Sequence, residues 1–217
     1  MTEIVFILDR SGSMAGLESD TIGGFNAMIE RQRTETEGDA ALVSTVLFSN
    51  YSTVLHDRVA LADIKPLTRD DYQVGGTTAL LDAVGDAIKH IRNVHKYARE
   101  EDRPQKTLFV ITTDGMENAS HKFSYSEVKQ LIDAQKESGW EFIFLGANID
   151  AAEVAEHIGI DASRAVNYHA DSEGTGEVFG AVSNFVAQAR IMPNFAKRSS
   201  DKKWRESIDR DFSSRKK

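Results

Sequence analysis

The sequence predicts an α/β domain whose doubly wound, mostly parallel central sheet carries helices on both faces and one antiparallel strand at its edge. Three observations predict it. Apolar runs within residues 4–8 and 107–113 are too continuous to leave a solvent face, as in parallel strands buried on both sides. Strand-like segments alternate with segments of helical periodicity, the pattern of units joined by right-handed crossovers. Only Ser49 and Asn50 separate the second strand-like segment from the third, a connection so short that it permits an antiparallel hairpin alone.

At 217 residues with 41% apolar content, the chain is long enough for one domain with a full core. The absence of cysteine removes disulfides, zinc-thiolate sites and thiol catalysis together, and is compatible with a reducing compartment. The first strand begins within a few residues of Met1, with no basic leader, signal-length apolar segment or small-residue cleavage site, so a cytoplasmic location is expected. No stretch approaches the roughly 20 apolar residues of a membrane helix, so no membrane partner is expected. The formal net charge of −8 is unevenly spread. Residues 194–217 hold nine Lys/Arg against four Asp/Glu, net +5, which leaves 17 against 30, net −13, for residues 1–193. The expected organisation is therefore a domain over residues 1–193 and a basic tail over residues 194–217.

Taken in order, residues 4–8 form the first strand, which Gly12 interrupts after Asp9. Ile22, Phe25 and Ile29 recur at helical spacing, up to a polar run over residues 31–39. Residues 41–48 are the second strand and residues 51–60 the third, at the sheet edge. Pro66 and the polar cluster at 68–71 mark a loop that runs into Gly75-Gly76-Thr77-Thr78. A long helix follows, with Leu81, Val84, Ile88, Ile91 and His95 on one face, and then a charged linker over 99–106. Residues 107–113 are the next strand, which ends in Asp114-Gly115. Ser124 with Glu127 forms a capping box for the helix bearing Val128, Leu131 and Ile132, and Gly139 ends that helix. Residues 141–145 form a strand, Asp150 with Glu153 caps a short helix, and Gly159 closes it. Residues 164–168 are a weak edge strand. The last amphipathic helix, lined by Val178, Phe179, Val182, Phe185, Val186 and Ala189, stops at Pro193.

Asp9, Ser11 and Ser13 follow the first apolar strand at alternate positions, on the loop where open α/β sheets place their ligands. Oxygen donors gathered there suit a hard cation. Two further segments belong with them: Gly75-Gly76-Thr77 before a helix, and Thr113-Asp114-Gly115 after the second strongly apolar strand. In that order and setting the three segments resemble the von Willebrand factor type A (VWA) domain, a Rossmann-like fold, with its metal-ion-dependent adhesion site. The resemblance covers about residues 3–191. It implies Ser11 and Ser13 as direct hydroxyl ligands, and Asp9 and Asp114 as carboxylates bound directly or through water. Thr77 would be a ligand that engages in the ligand-bound state, with Thr78 taking that role if the loop is shifted. It also implies that the first strand lies between the second and the fourth, and that the chain works beside ATPases or within a larger assembly. Arg10 and Met14 occupy positions that the family leaves variable and are expected to face a partner. Glu117 and His121 are expected to border the site.

The chemistry is consistent with that resemblance. Magnesium takes six oxygens in near-octahedral geometry at about 2.0–2.1 Å and readily keeps waters, and manganese suits the same donors. Neutral hydroxyls fill positions without cancelling charge, so the ion stays electrophilic and an Asp or Glu carboxylate of a partner protein is the natural last ligand. The expected function is thus an intracellular Mg²⁺- or Mn²⁺-dependent protein-binding module and not an enzyme. Competing readings remain. Asp9, Ser11 and Ser13 could merely cap the first helix, and Gly75-Gly76 could be only a tight turn. A metal beside Asp9 could support hydrolysis or phosphoryl transfer, although Ser11 stands where an aspartyl-phosphate hydrolase has its second acid, and no phosphate-loop lysine, nucleophile elbow or cysteine nucleophile is found. The basic tail could contact nucleic acid, or form a short helix through Trp204, Ile208 and Phe212, spaced by four, that docks on the acidic body.

Overall fold

The computed structural model describes residues 1–35, 40–192 and 202–215. Its centre is a six-stranded sheet in the order β3-β2-β1-β4-β5-β6, formed by β1 (Thr2–Asp9), β2 (Ala41–Phe48), β3 (Ser52–Ala60), β4 (Lys106–Thr113), β5 (Glu141–Ala147) and β6 (Ala165–Tyr168). β3 pairs antiparallel with β2 at the edge; every other pairing is parallel. The helices are α1 (Glu18–Glu35), α2 (Leu80–Tyr97), α3 (Tyr125–Glu137), α4 (Ala151–His157), α5 (Ser172–Ile191) and α6 (Glu206–Ser214).

β1 shows why its sequence is an unbroken apolar run. Ile4, Phe6 and Leu8 point into a core shared with α1 and α5, where Phe6 meets Phe25 edge-on at 5.4 Å between ring centroids. Val5 and Ile7 point the other way, into a second core under α2, α3 and α4. Side chains alternate across a strand, so burial on both faces demands apolar residues at both parities. Asp9 breaks the run where β1 leaves these two cores. Because β1 lies between β2 and β4, the loops leaving β1 and β4 start side by side and lead to helices on opposite faces, which opens a crevice at their carboxyl ends.

Local signals in the sequence took the expected forms. Ser124 and Glu127 make the reciprocal capping box of α3, and Asp150 accepts from the amides of Ala152 and Glu153 at the start of α4. The edge strand β3 is more irregular than its sequence suggests, since its register against β2 shifts around Thr45 and Arg58 sits at φ +52°. The Pro193 stop and the domain boundary at 193/194 lie outside the described residues, as do part of the polar run after α1 and Phe195.

The described part of the tail is docked. α6 and the 3-10 turn before it pack across α5 and β6. Trp204, Ile208 and Phe212 do share one face: the Trp204 ring meets Phe185 at 5.3 Å, Ile208 is fully buried, and Phe212 stacks on His169 at 4.7 Å. Trp204 Nε1 donates to the Ser163 carbonyl, and Arg205 donates to the carbonyls of Ala162 and Ala165, so the tail also satisfies acceptors of the turn before β6 and of the first residue of that edge strand. The attraction between basic tail and acidic body takes a specific form in Arg215, which pairs with Asp171 at 2.7 Å and lies 3.5 Å from Glu173. Trypsin should therefore cut slowly after Arg205 and Arg210. Removing the ring with Trp204→Ala takes away on the order of 2 kcal/mol of apolar burial, which raises the undocked population, and cleavage there, about thirtyfold. Equal cleavage of both proteins, followed by mass spectrometry, would show that the docked arrangement does not hold in solution.

Candidate metal centre

The cup forms where three loops meet. Gly12 N donates to the Gly76 carbonyl and Gly75 N to the Arg10 carbonyl, so the segment after β1 is laced to the loop before α2. This lacing needs glycine: Gly76 has φ +80°, and a Cβ there would stand 2.5 Å from Asn50 Oδ1. The loop after β4 is tied to the same helix start. Glu117 accepts from the amide of Leu81, Asn118 Oδ1 accepts from Thr78 N at 2.9 Å, and Asp82 accepts from the amides of His121, Lys122 and Phe123.

Within that frame the oxygens converge. Asp9 is fully buried; its Oδ1 accepts from Ser11 N at 2.7 Å and its Oδ2 from Thr113 Oγ1 at 2.6 Å, while Tyr72 donates to its main-chain oxygen. Ser11 Oγ lies 3.0 Å from Ser13 Oγ, and Ser13 Oγ donates to Asp114 Oδ1. The other oxygen of Asp114 is buried and has no hydrogen-bond partner among the described residues. The serines do not cap the first helix, because α1 begins only at Glu18 and the Ser11 side chain makes no capping bond.

Electrostatics point the same way. Burial pushes the carboxyl of Asp9 above its usual range against the lowering effect of the Thr113 and Ser11 bonds. Burial raises Asp114 as well, and the neighbouring charge of Asp9 adds to it. Below the cup, burial and the charge of Asp9 hold the Tyr72 hydroxyl protonated. Two crowded carboxyls, one orphaned buried oxygen and a row of hydroxyls form a donor set that a hard divalent cation would satisfy. Asp9, Ser11, Ser13 and Asp114 are the residues that could hold it. Among the described residues no cluster of three His, Cys, Asp or Glu side chains is grouped to bind a metal.

The two threonines divide. Thr77 is exposed at the rim, whereas Thr78 is buried, with its Oγ1 facing Gly115. Arg10 borders the cup, over the Tyr51 ring at 5.4 Å and bonded to Thr53 Oγ1 at 2.9 Å. Met14 is buried in the α1 side of the core, so its expected place facing a partner does not hold; its side chain fills space between β1 and α1. Glu117 does border the site, but its carboxylate is engaged by the amides of Leu81, Ala119 and Ser120. His90 and His95 have separate partners, Asp57 and Glu3. The contribution of Asn118, which positions Thr78, has no counterpart in the sequence reading. A polar residue four positions after Asp114 carries no signal of the amide it will meet.

The family model of the von Willebrand factor type A domain matches residues 3–181. No curated protein matches the chain. Among solved structures, proximal thread matrix protein 1 from the mussel byssus, with a zinc-occupied MIDAS motif, is 15% identical at a TM-score of 0.57, covering 86% of this chain and 46% of its own. The pilus adhesin SpaC of Lactobacillus rhamnosus GG is 10% identical at a TM-score of 0.66, over 87% of this chain and 30% of its own. The VWA domain of SpRpn10 is 11% identical at 0.55, over 83% and 94%. This chain thus spans less than half of the mussel protein and about a third of the adhesin, but nearly the whole of the SpRpn10 domain. At these identities the likeness is one of fold, and with the family match over most of the sequence the chain belongs to the von Willebrand factor type A domain family, whose members are protein-interaction and adhesion modules.

Proposed function

We propose that this chain is a metal-dependent protein-binding module in which Mg²⁺ or Mn²⁺, held by Asp9, Ser11, Ser13 and Asp114, captures an Asp or Glu carboxylate of a partner protein. The observation that carries this reading is the Asp114 carboxyl, buried beside Asp9 with one oxygen bonded by Ser13 and the other without a hydrogen-bond partner among the described residues. An all-oxygen donor set favours a hard ion over zinc, although the mussel neighbour is described with zinc in its own MIDAS motif. When bound, the ion supplies an electrophile for an incoming anion. The chain's own residues do the rest. Ser13 and Thr77 stand exposed at the mouth, where Thr77 is free to reach the ion as a partner arrives, and Arg10 adds a positive charge beside it. The proposed setting is the cytoplasm, within a larger assembly.

The test is capture from native lysate by immobilised protein, in magnesium or manganese and again in chelator. Proteins that are retained with metal, released by chelator and absent from an Asp114→Asn bait support the reading. Thr77→Ala should weaken their capture more than it weakens metal binding. Retention indifferent to both chelator and Asp114→Asn would place recognition elsewhere on the surface.

A further inference from the structure

We propose a second binding site, for a small phosphoanion such as a pyrophosphate or nucleoside polyphosphate group, in a basic cleft at the end of the sheet opposite the metal cup. The cleft has a volume of about 530 Å³ and lies between the last two turns of α2, the loop entering β4 and the carboxyl end of α3. It is lined by Arg92, His95 and Lys96 from α2, Arg103 from the loop, and Gln135 and Trp140 at the far wall. β4 runs from this end to Asp114, so about eight residues of strand, roughly 25 Å, separate the two sites.

None of the lining side chains is a carboxylate. Among the described residues Arg92 has neither a hydrogen bond nor an ion pair. Among the same residues Lys96 has only the Tyr97 ring, 5.2 Å from its ammonium, and the Arg103 side chain bonds only the Ala98 carbonyl, through Nε at 3.1 Å. Three permanent cations thus face one cavity without a counter-charge, in a chain whose net charge is −8. Basic residues do complement the carbonyl end of a helix, and that accounts for His95 and Lys96 in the last turn of α2. It does not account for Arg92, which stands before the last turn, or for Arg103, which belongs to neither helix. The spacing of Arg92, His95 and Lys96 puts all three on one face of α2. Two guanidinium groups present planar pairs of donors that match phosphate oxygens. Three positive charges are balanced by a ligand of two or more negative charges, which a single carboxylate side chain is not. The volume lies within the range of ordinary small-ligand pockets. Trp140 offers an indole edge to whatever the phosphates carry, and its ring is braced by stacking on Phe109 at 5.4 Å.

Titration of the full chain with inorganic pyrophosphate, and separately with ATP, tests this by calorimetry and by the indole resonance of Trp140. Both are run in chelator at about 0.15 M salt, so that neither metal binding nor weak surface attraction contributes. Saturable binding is expected for at least one of them, with loss of at least tenfold in affinity in Arg92→Glu and in Arg103→Gln. Both variants change exposed side chains that make no ion pair, so their melting temperatures should stay near that of the parent. Asp9→Ala should bind the anion as the parent does, which separates this site from the cup. Tighter binding of ATP than of pyrophosphate would assign the organic part to the cleft, and equal binding would assign the phosphate chain alone; both support the site. Absence of binding at millimolar ligand, equal affinity in Arg92→Glu, or equal binding of acetate would overturn it.

Discussion

Millimolar magnesium or manganese is expected to raise the melting temperature of the protein by about 5–10 °C and to leave Asp114→Asn unmoved. An ion at 100 times its dissociation constant adds about 2.7 kcal/mol to the folded state, and for a domain of this size each kcal/mol is worth about 2–4 °C. Asp114→Asn is the more telling variant, since it keeps an acceptor for Ser13 while removing charge from the oxygen that lacks a partner. Asp9→Ala should also abolish the shift, but it additionally strips the acceptor of Ser11 N and Thr113 Oγ1 and will lower the starting stability. The effect has a defined pH sign. Without metal, both carboxyls are raised above 3.8 by burial, so their contribution favours the fold below that value and is lost as pH rises through the raised values. A bound cation favours the ionised forms, so protons compete with it. The metal-induced shift should therefore be full near neutrality, shrink as pH falls into the raised range, and vanish below 3.8. A shift of equal size at pH 7 and pH 4, or none at either, would rule out these two carboxylates as ligands.

The parts of the fold that were legible in the sequence are those in which one residue type answers one local demand. An apolar run with no polar parity has to be buried on both faces, and β1 and β4 are. Ser124 with Glu127 satisfies its own helix start and needs nothing from elsewhere. The metal cup was legible because its donors arrive in three short segments, each placed at the end of a recognisable element. What escaped depends on partners distant in sequence. Thr77 and Thr78 look equivalent on the chain, and only the bond from Thr78 N to Asn118, 40 residues away, turns one inward and leaves the other at the rim. Met14 reads as a rim residue because it sits between loop positions, yet the turn after Ser13 folds it under β1. Glu3 lies before the strand that the sequence predicts over residues 4–8, yet it belongs to β1 and is among the most buried residues of the molecule.

Replacing Arg58 by leucine is expected to destabilise the fold by about 3–5 kcal/mol, because it strands the Glu3 carboxylate. Glu3 has the same parity in β1 as Val5 and Ile7 and so faces α2, where its side chain has no exposure. Its oxygens are held by Arg58 Nε at 2.6 Å and His95 Nε2 at 2.5 Å. The irregularity in β3 serves this contact. Arg58 takes its left-handed backbone where the register with β2 shifts, its amide bonds Ser44 Oγ, and the bulge turns the guanidinium inward over β1. A charge in the interior is tolerated only while it is paired, so loss of one partner costs far more than the pair contributes. Arg58→Leu leaves His95 as the single donor. Glu3→Leu combined with Arg58→Leu removes the charge and its partner together, and should recover most of the loss, since an apolar replacement of a buried pair is often close to neutral. Urea unfolding gives both numbers, provided the slope of the transition is unchanged. A cost below about 1 kcal/mol for Arg58→Leu, or a double variant no better than the single, would show that the fold does not depend on the Glu3–Arg58 pair. The metal-induced rise in melting temperature should survive in Arg58→Leu, because Glu3 and Asp9 lie at opposite ends of the same strand.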